Sequence, residues 1–418
     1  MSRLRHLKPA VPLERREIGI LALFSVLAFT QGWSGAAITH ALPFVQDDFA
    51  LNDSEVFDLM ALVRATALIA FALSWWGDRG GRRLPLLIAF AILPAANLAT
   101  AFASGAAAVT ALQAVGRIGT IALGSLAIVV VAEEVAPKVR GYAIALYALV
   151  GSMGTGFGLL LRPLGDDGGD GWRLLFGLSA IPLLVLPLLI LRLRESRAFT
   201  PTATRHSFRV LLGSGLGRRF WPMAGLAFAL SAFASPTANL ALVRLENELG
   251  WSAASASLLL ATASAPGVAL GLLGGGRIAD MVGRRPTEFV AILVGVIGGV
   301  AFYFLEAGPL VGVAIFVSTV GAFGFGPAFG SHRSELFPTE VRATAAAWIV
   351  NASILGGLAG FSAGRFVVDS WGIPTTIAVL GGLLLAATSL IPLLPETKGW
   401  ILTGQEEGPL PPSGAIPV

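Results

Sequence analysis

Long apolar stretches separated by short polar ones run through most of the chain. Twelve of them approach the roughly twenty residues that a helix needs to cross a bilayer. They fall at 18–43, 54–76, 84–103, 107–133, 141–162 and 173–192, then at 220–244, 252–274, 286–305, 310–336, 343–367 and 374–394. Several exceed twenty residues, which implies tilt. Prolines inside them, among them Pro94, Pro182, Pro236, Pro266 and Pro327, are tolerable in a membrane bundle, where neighbouring helices satisfy freed backbone groups. A longer polar segment rich in Arg divides the spans into two sets of six. The pattern predicts an all-α membrane protein with a tail at 1–17, a bundle at 18–192, a central loop at 193–219, a second bundle at 220–394 and a tail at 395–418.

The charged loops repeat. Asp78, Gly81, Arg82 and Arg83 stand 202 residues before Asp280, Gly283, Arg284 and Arg285, and the same offset links Glu133 to Glu335 and Arg140 to Arg342. One spacing shared by this many charged positions marks a duplicated membrane bundle. Each loop must reverse tightly, which glycine permits. Its Asp is expected to accept hydrogen bonds from a neighbouring helix N-terminus. The stretch Gly77–Arg83 and its counterpart Gly276–Arg285 resemble the G-x-x-x-D-R-x-G-R-R signature between helices 2 and 3 of the major facilitator superfamily, with Ser74 in place of the leading glycine of the first copy. That resemblance implies twelve transmembrane helices in two pseudo-symmetric six-helix bundles. Glu133–Gly141, Glu335–Arg342 and Pro395-Glu396-Thr397-Lys398-Gly399 are similar to the E-x-x-P-x-x-x-R-G and P-E-T-K-G elements of its sugar-porter and metabolite:proton symporter branches. Asp78, Arg82, Arg83, Glu133 and Arg140, with Asp280, Arg284, Arg285, Glu335, Arg342 and Glu396, are therefore candidates for a conformational latch of ion pairs.

Composition agrees with a membrane protein: 55% of residues are hydrophobic and 13% charged, about half the charged share of a soluble domain. The net charge of +4 does not indicate nucleic-acid binding, because the basic residues sit in alternate loops. With both termini in the cytoplasm, 23 of the 29 Lys and Arg residues lie on the cytoplasmic side, as the positive-inside tendency requires, and the opposite loops are acidic. The expected location is the cell (inner) membrane. The chain has no cysteine, no metal-ligand cluster, no nucleotide-binding glycine loop and no nucleophile constellation, so neither an enzyme nor a cofactor is expected.

Ionisable residues within spans are functional candidates by default. Arg64 and Arg117 lie near the middle of spans two and four, and either could bind a carboxylate through bidentate hydrogen bonds or hold the two spans together through Asp58. Gln113 and Thr120 share a helix face with Arg117. Thr30-Gln31-Gly32-Trp33-Ser34 resembles the D-G-[FY]-D segment of aromatic-acid:proton symporters, with Gln31 and Ser34 where that family carries carboxylates. The missing carboxylates count against proton coupling by that route; Asp58 and His40 are coupling candidates. Asn239 survives from the Q-Q-x-x-G-x-N of sugar porters, whose glutamines are absent here, and this disfavours a hexose. Gln31, Ser34, Gln113 and Asn239 are candidate neutral contacts and Phe325 a candidate cavity wall. The glycines at 151, 154, 156 and 158 are read as helix packing.

The expected function is transport of a small organic solute, a carboxylated or aromatic metabolite, by alternating access in a monomer embedded in lipid, with protons as a candidate coupling ion. An exporter of drugs or natural products is an alternative. A non-transporting sensor or scaffold is another.

Overall fold

Backbone N–H and C=O groups find no water in hydrocarbon, and a helix satisfies them within one segment. The computed structural model describes residues 14–136, 139–166, 170–196 and 215–400, and no strand occurs among them. Helices α1 (Arg15–Gly35) and α2 (Ala37–Asp48) form one 34-residue stretch, and α3 (Asp53–Ala65) leads through a 3-10 turn into α4 (Ala70–Gly80). Then come α5 (Arg83–Thr100), α6 (Ala106–Glu134) and α7 (Arg140–Leu161). A further 3-10 turn at Ile181–Val185, which contains Pro182 and precedes Pro187, separates α8 (Gly171–Ser179) from α9 (Leu186–Arg192). The second half holds α10 (Gly217–Asn239), α11 (Ala253–Met281), α12 (Arg284–Phe304), α13 (Gly308–Leu336) and α14 (Thr339–Ala387).

Among the described residues, eleven helical stretches are long and apolar enough to cross a membrane. The last of them, Thr344–Leu393, has 50 residues, more than two crossings require. Its backbone breaks at Gly372, where φ is 73° and ψ 166°. It is two spans, which makes twelve among the described residues. The expected gap at 368–373 is thus a single kink, because one left-handed glycine turns the chain without a loop. The first expected span, 18–43, extends to Arg15–Asp48.

The described residues cluster into two compact units. Unit 1 takes those up to Leu51 with those in 62–203 and 245–257, and unit 2 takes 52–61, 204–244 and 258 onward. In unit 1, Leu21, Phe24 and Leu27 of α1 join Leu86, Phe90 and Leu93 of α5 and Leu123, Leu126 and Val130 of α6 in one buried core. Helices α1 and α7 meet at backbone distance: a Cβ on Gly32 would lie 1.8 Å from the Gly151 carbonyl oxygen, and one on Gly154 2.2 Å from that of Phe29. The glycines of α7 thus act as packing residues, except Gly156, which has open space around it. In unit 2, Cβ atoms on Gly356 and Gly360 would lie 2.0 Å from the Phe228 and Ala232 carbonyls of α10, and Phe57 packs edge-on against Phe361 with ring centroids 5.5 Å apart.

One charged cluster sits deep in unit 1. Arg162, which follows α7, is fully buried; its Nε donates to the His40 carbonyl (2.6 Å), and its two terminal nitrogens bind both carboxylate oxygens of Glu246, one at 2.7 Å. Ser257 accepts a further bond at 3.1 Å. Removing one partner of a buried pair strands the other's charge. Arg162→Leu should therefore lower stability by about 3–5 kcal/mol, read as a fall in the thermal midpoint in detergent. Arg162→Leu with Glu246→Leu should recover most of that loss.

Candidate functional site

The two motif loops are built alike. Gly81 and Gly283 have φ of 102° and 129°, and a Cβ on either would meet a glutamate carboxylate, that of Glu195 or Glu396, at 2.6 or 2.8 Å. Each glutamate caps the helix that follows its glycine. Glu195 accepts from the N–H groups of Arg82 (2.6 Å) and Arg83 (3.2 Å), and Glu396 from those of Arg284 (2.8 Å) and Arg285 (3.0 Å). Negative charge is favoured there, so the helix-capping role expected of the loop aspartates belongs to these glutamates. Asp280 instead accepts from the Arg284 side chain at 2.5 Å. The side chains of Asp78 and Arg140 lie outside the described residues.

Arg82 forks onto Glu133 (3.1 and 2.9 Å) and Arg284 onto Glu335 (3.1 and 2.9 Å). Ser196 and Thr397 complete the two copies by donating to Glu133 and Glu335 at 2.7 and 2.5 Å. Arg83 bonds the Leu193 and Ile190 carbonyls, both at 2.7 Å, and Arg342 the Phe337 carbonyl at 3.1 Å. Every one of these bonds is internal to its unit. Partial burial pushes the Glu396 carboxyl up, but the N–H groups of Arg284, Arg285 and Lys398 outweigh it and hold the group below its ordinary range. It is ionised at neutral pH.

The mid-helix candidates fall into two sets. Gln31 is held in place, its Nε2 donating to the Thr120 carbonyl (3.1 Å) and its Oε1 accepting from the Tyr147 hydroxyl (2.7 Å). It packs over Gly124, where a Cβ would lie 2.2 Å from Nε2. Arg117 stands one turn before Thr120 on α6, and its Nε is buried without a hydrogen-bond partner. No acidic side chain is paired with it among the described residues. Arg64 lies in the last turn of α3, and two residues on Thr66 donates to the Ala114 carbonyl (2.7 Å), which brings that end of α3 against the first third of α6, one turn before Arg117. Gln31, Arg117 and Arg64 thus belong to one region of unit 1.

Ser34 and Gln113 belong to another. Ser34 donates to the Ser179 carbonyl (2.6 Å), Asn97 to the Ser34 carbonyl and the Ser179 hydroxyl (both 2.9 Å), and Gln113 to Asn97 (3.0 Å) and Thr100 (2.9 Å). All five residues are buried. Their polar atoms satisfy one another and pin α1, α5, α6 and α8 together.

Asp58 has a partner in its own unit. Its Oδ2 lies 3.2 Å from Nε of Arg365 on α14, so the expected pair is corrected. His40 is buried beside Gly158, with its carbonyl taken by Arg162. In unit 2, Asn239 donates to the Ser235 carbonyl of its own helix (2.8 Å), and Phe325 is buried, stacked on Phe329 with centroids 4.8 Å apart. Tyr147, Arg162 and Arg365 are not among the candidates read from the sequence. The two arginines carried the same signal as Arg64, a charge within an apolar run.

A family model described as Major Facilitator Superfamily matches residues 24–349 and 224–416. The chain belongs to the Major Facilitator Superfamily. As a member it is a multi-pass membrane transporter of small organic solutes and not an enzyme. Relatives include a probable 4-methylmuconolactone transporter of Cupriavidus pinatubonensis, 26% identical with 86% of each chain covered. An arabinose-proton symporter of Bacillus subtilis is 23% identical over 94% of this chain and 96% of its own. A gallate transporter of Pseudomonas putida is 25% identical over 87% and 88%. Among solved structures, a bacterial homolog of the human lysosomal transporter Spinster superposes with a TM-score of 0.79 at 15% identity, covering 92% of this chain and 97% of its own. A D-xylose-proton symporter does so at 0.73 and 20%, covering 92% and 99%. At such identities these two establish the fold.

Proposed function

We propose that this facilitator-superfamily member moves a small carboxylated organic solute, most simply an aromatic or lactone acid, across the cell membrane, and that Arg117 receives the carboxylate. The observation that carries this reading is the buried, unpartnered Nε of Arg117. An arginine at mid-helix in a membrane span costs about 2.5–3.5 kcal/mol on insertion scales. Among the described residues no carboxylate offsets that, and a planar two-oxygen anion fits the guanidinium fork. Gln31, fixed by Tyr147 and by the carbonyl of Thr120, which stands one turn after Arg117, offers a neutral contact from α1, and Arg64 stands on α3. The 4-methylmuconolactone and gallate transporters among the relatives support an acid, and the missing glutamines of the sugar-porter motif in span seven disfavour a hexose.

The two halves, 18–192 and 220–394, rock in alternating access, with the motif loops and both termini in the cytoplasm. Their internal ion pairs keep each half rigid as it moves. Ser34 and Gln113 are packing residues in this account.

Reconstituted protein tests it. Proteoliposomes should take up radiolabelled gallate saturably, and unlabelled benzoate-type acids should compete while arabinose does not. Repeating the assay with an imposed pH gradient reads proton coupling. Uptake of arabinose that carboxylic acids leave unaffected would overturn the assignment.

A further inference from the structure

A second buried ionisable group lies at the motif-loop end of unit 2. Glu288, in the second turn of α12, and His332, near the end of α13, have fully buried side chains, and His332 Nδ1 lies 2.8 Å from Glu288 Oε1. The other ring nitrogen, Nε2, is 3.0 Å from the Pro395 carbonyl. A carbonyl oxygen only accepts, so Nε2 carries the hydrogen. With Nε2 so fixed, a neutral ring beside a carboxylate would set lone pair against lone pair across 2.8 Å. A proton must lie between them, on the imidazole as imidazolium or on the carboxyl as neutral acid. Either way the pair holds one dissociable proton in common. The second carboxylate oxygen, Oε2, is buried without a partner, so a bare carboxylate is poorly compensated there.

The surroundings are charged. Arg284 lies one turn back on α12, Arg333 and Glu335 flank His332 on α13, and Glu396 follows Pro395. Of these, Arg284 and Glu396 act electrostatically on the pair. The carbonyl bound by His332 opens the segment whose Glu396 caps α12 and whose Thr397 donates to Glu335.

The repeat provides a control within the molecule. Subtracting the 202-residue offset places Leu86 and Val130 where Glu288 and His332 stand, and both are buried apolar residues. There Arg82, Glu133, Glu195 and Ser196 form the same cluster without such a pair. The pair is therefore an addition to the cluster and not a requirement of it.

We propose that Glu288 and His332 form a proton-binding site that fastens the Pro395–Lys398 segment to the ends of α12 and α13 while occupied and loosens it when the proton leaves. The bound proton holds the ring in the orientation that keeps Nε2–H on the Pro395 carbonyl. Deprotonation turns the Glu288 contact repulsive and frees the ring. This site is independent of the solute and of the role of Arg117.

The chain has four histidines and no cysteine, which makes two readouts clean. In 15N-histidine-labelled protein, His332→Val identifies the His332 signals. Across about pH 5 to 9, Nε2 should stay protonated and the Nδ1 signal should shift in one step as the proton shared with Glu288 leaves. Lys398→Cys places a single thiol on the segment, and its maleimide labelling should rise several-fold across that step, relative to the same thiol in Glu288→Gln. A glutamine amide can donate to neutral Nδ1 without a titrating proton, so in Glu288→Gln the step disappears. The pair Glu288→Leu with His332→Val copies the first half of the chain and should fold with the pH response lost. Three results would overturn the proposal: the same Nδ1 titration in wild type and Glu288→Gln, a titration with flat labelling, or an Nδ1 that holds its proton throughout with flat labelling.

Discussion

Glu335→Ala should lower the stability of the second unit by about 3–5 kcal/mol, while Asp280→Ala should lower it by less than about 1 kcal/mol. Both acids contact Arg284, so proximity does not distinguish them; exposure does. The Glu335 side chain is 12% exposed and that of Asp280 71%. An exposed carboxylate is already well solvated, and its pairing gains little. Losing Glu335 leaves a buried guanidinium with only the exposed Asp280 and also removes the acceptor of the Thr397 hydroxyl. Glu335→Gln, which keeps an acceptor, should fall between the two. Thermal unfolding in detergent, followed by size-exclusion recovery after heating, reads all three. Equal losses for the Ala variants would mean that solvent, and not Glu335, compensates Arg284.

Arg117→Gln should act in the opposite sense on stability and function. Hydrogen bonds to a charged group contribute about 1.5–3 kcal/mol, so affinity for a carboxylated solute should fall roughly 10- to 100-fold. Stability should hold or rise, because the substitution removes a charge whose buried Nε has no protein partner. A structural arginine behaves otherwise: removing it lowers stability and function together. Arg117→Lys keeps the charge but loses the fork, and should retain a fraction of the affinity.

Much of the fold can be read along the chain because the bilayer imposes a length on each apolar run and the duplication repeats each charged loop. Gly81 and Gly283 stand out for a physical reason, since both need positive φ and the space beside them is filled by a glutamate. Side-chain partners are harder to read. A polar residue in an apolar span looks the same whether it faces a solute or another polar residue. Ser34 and Gln113 accordingly resembled Gln31 until Asn97 and Ser179 were placed beside them. By sequence Asp58 is a candidate partner for arginines on its own and a nearby span, but it meets Arg365, more than three hundred residues away. Glu288, close behind two arginines, reads as one more loop charge; only the packing of α12 on α13 brings it to His332. The family's loop motifs specify how the ends of helices are tied, and they carry no information about what passes between them.

The decisive measurement is of paired ligands. Binding of gallate and of its neutral methyl ester to purified wild type and Arg117→Gln, by isothermal titration in the same detergent, isolates the carboxylate–guanidinium contact. The account predicts that wild type prefers the acid by at least about tenfold, consistent with a charged hydrogen bond, and that the variant binds both alike. An Arg117→Gln protein that still prefers the acid by the wild-type ratio would contradict it.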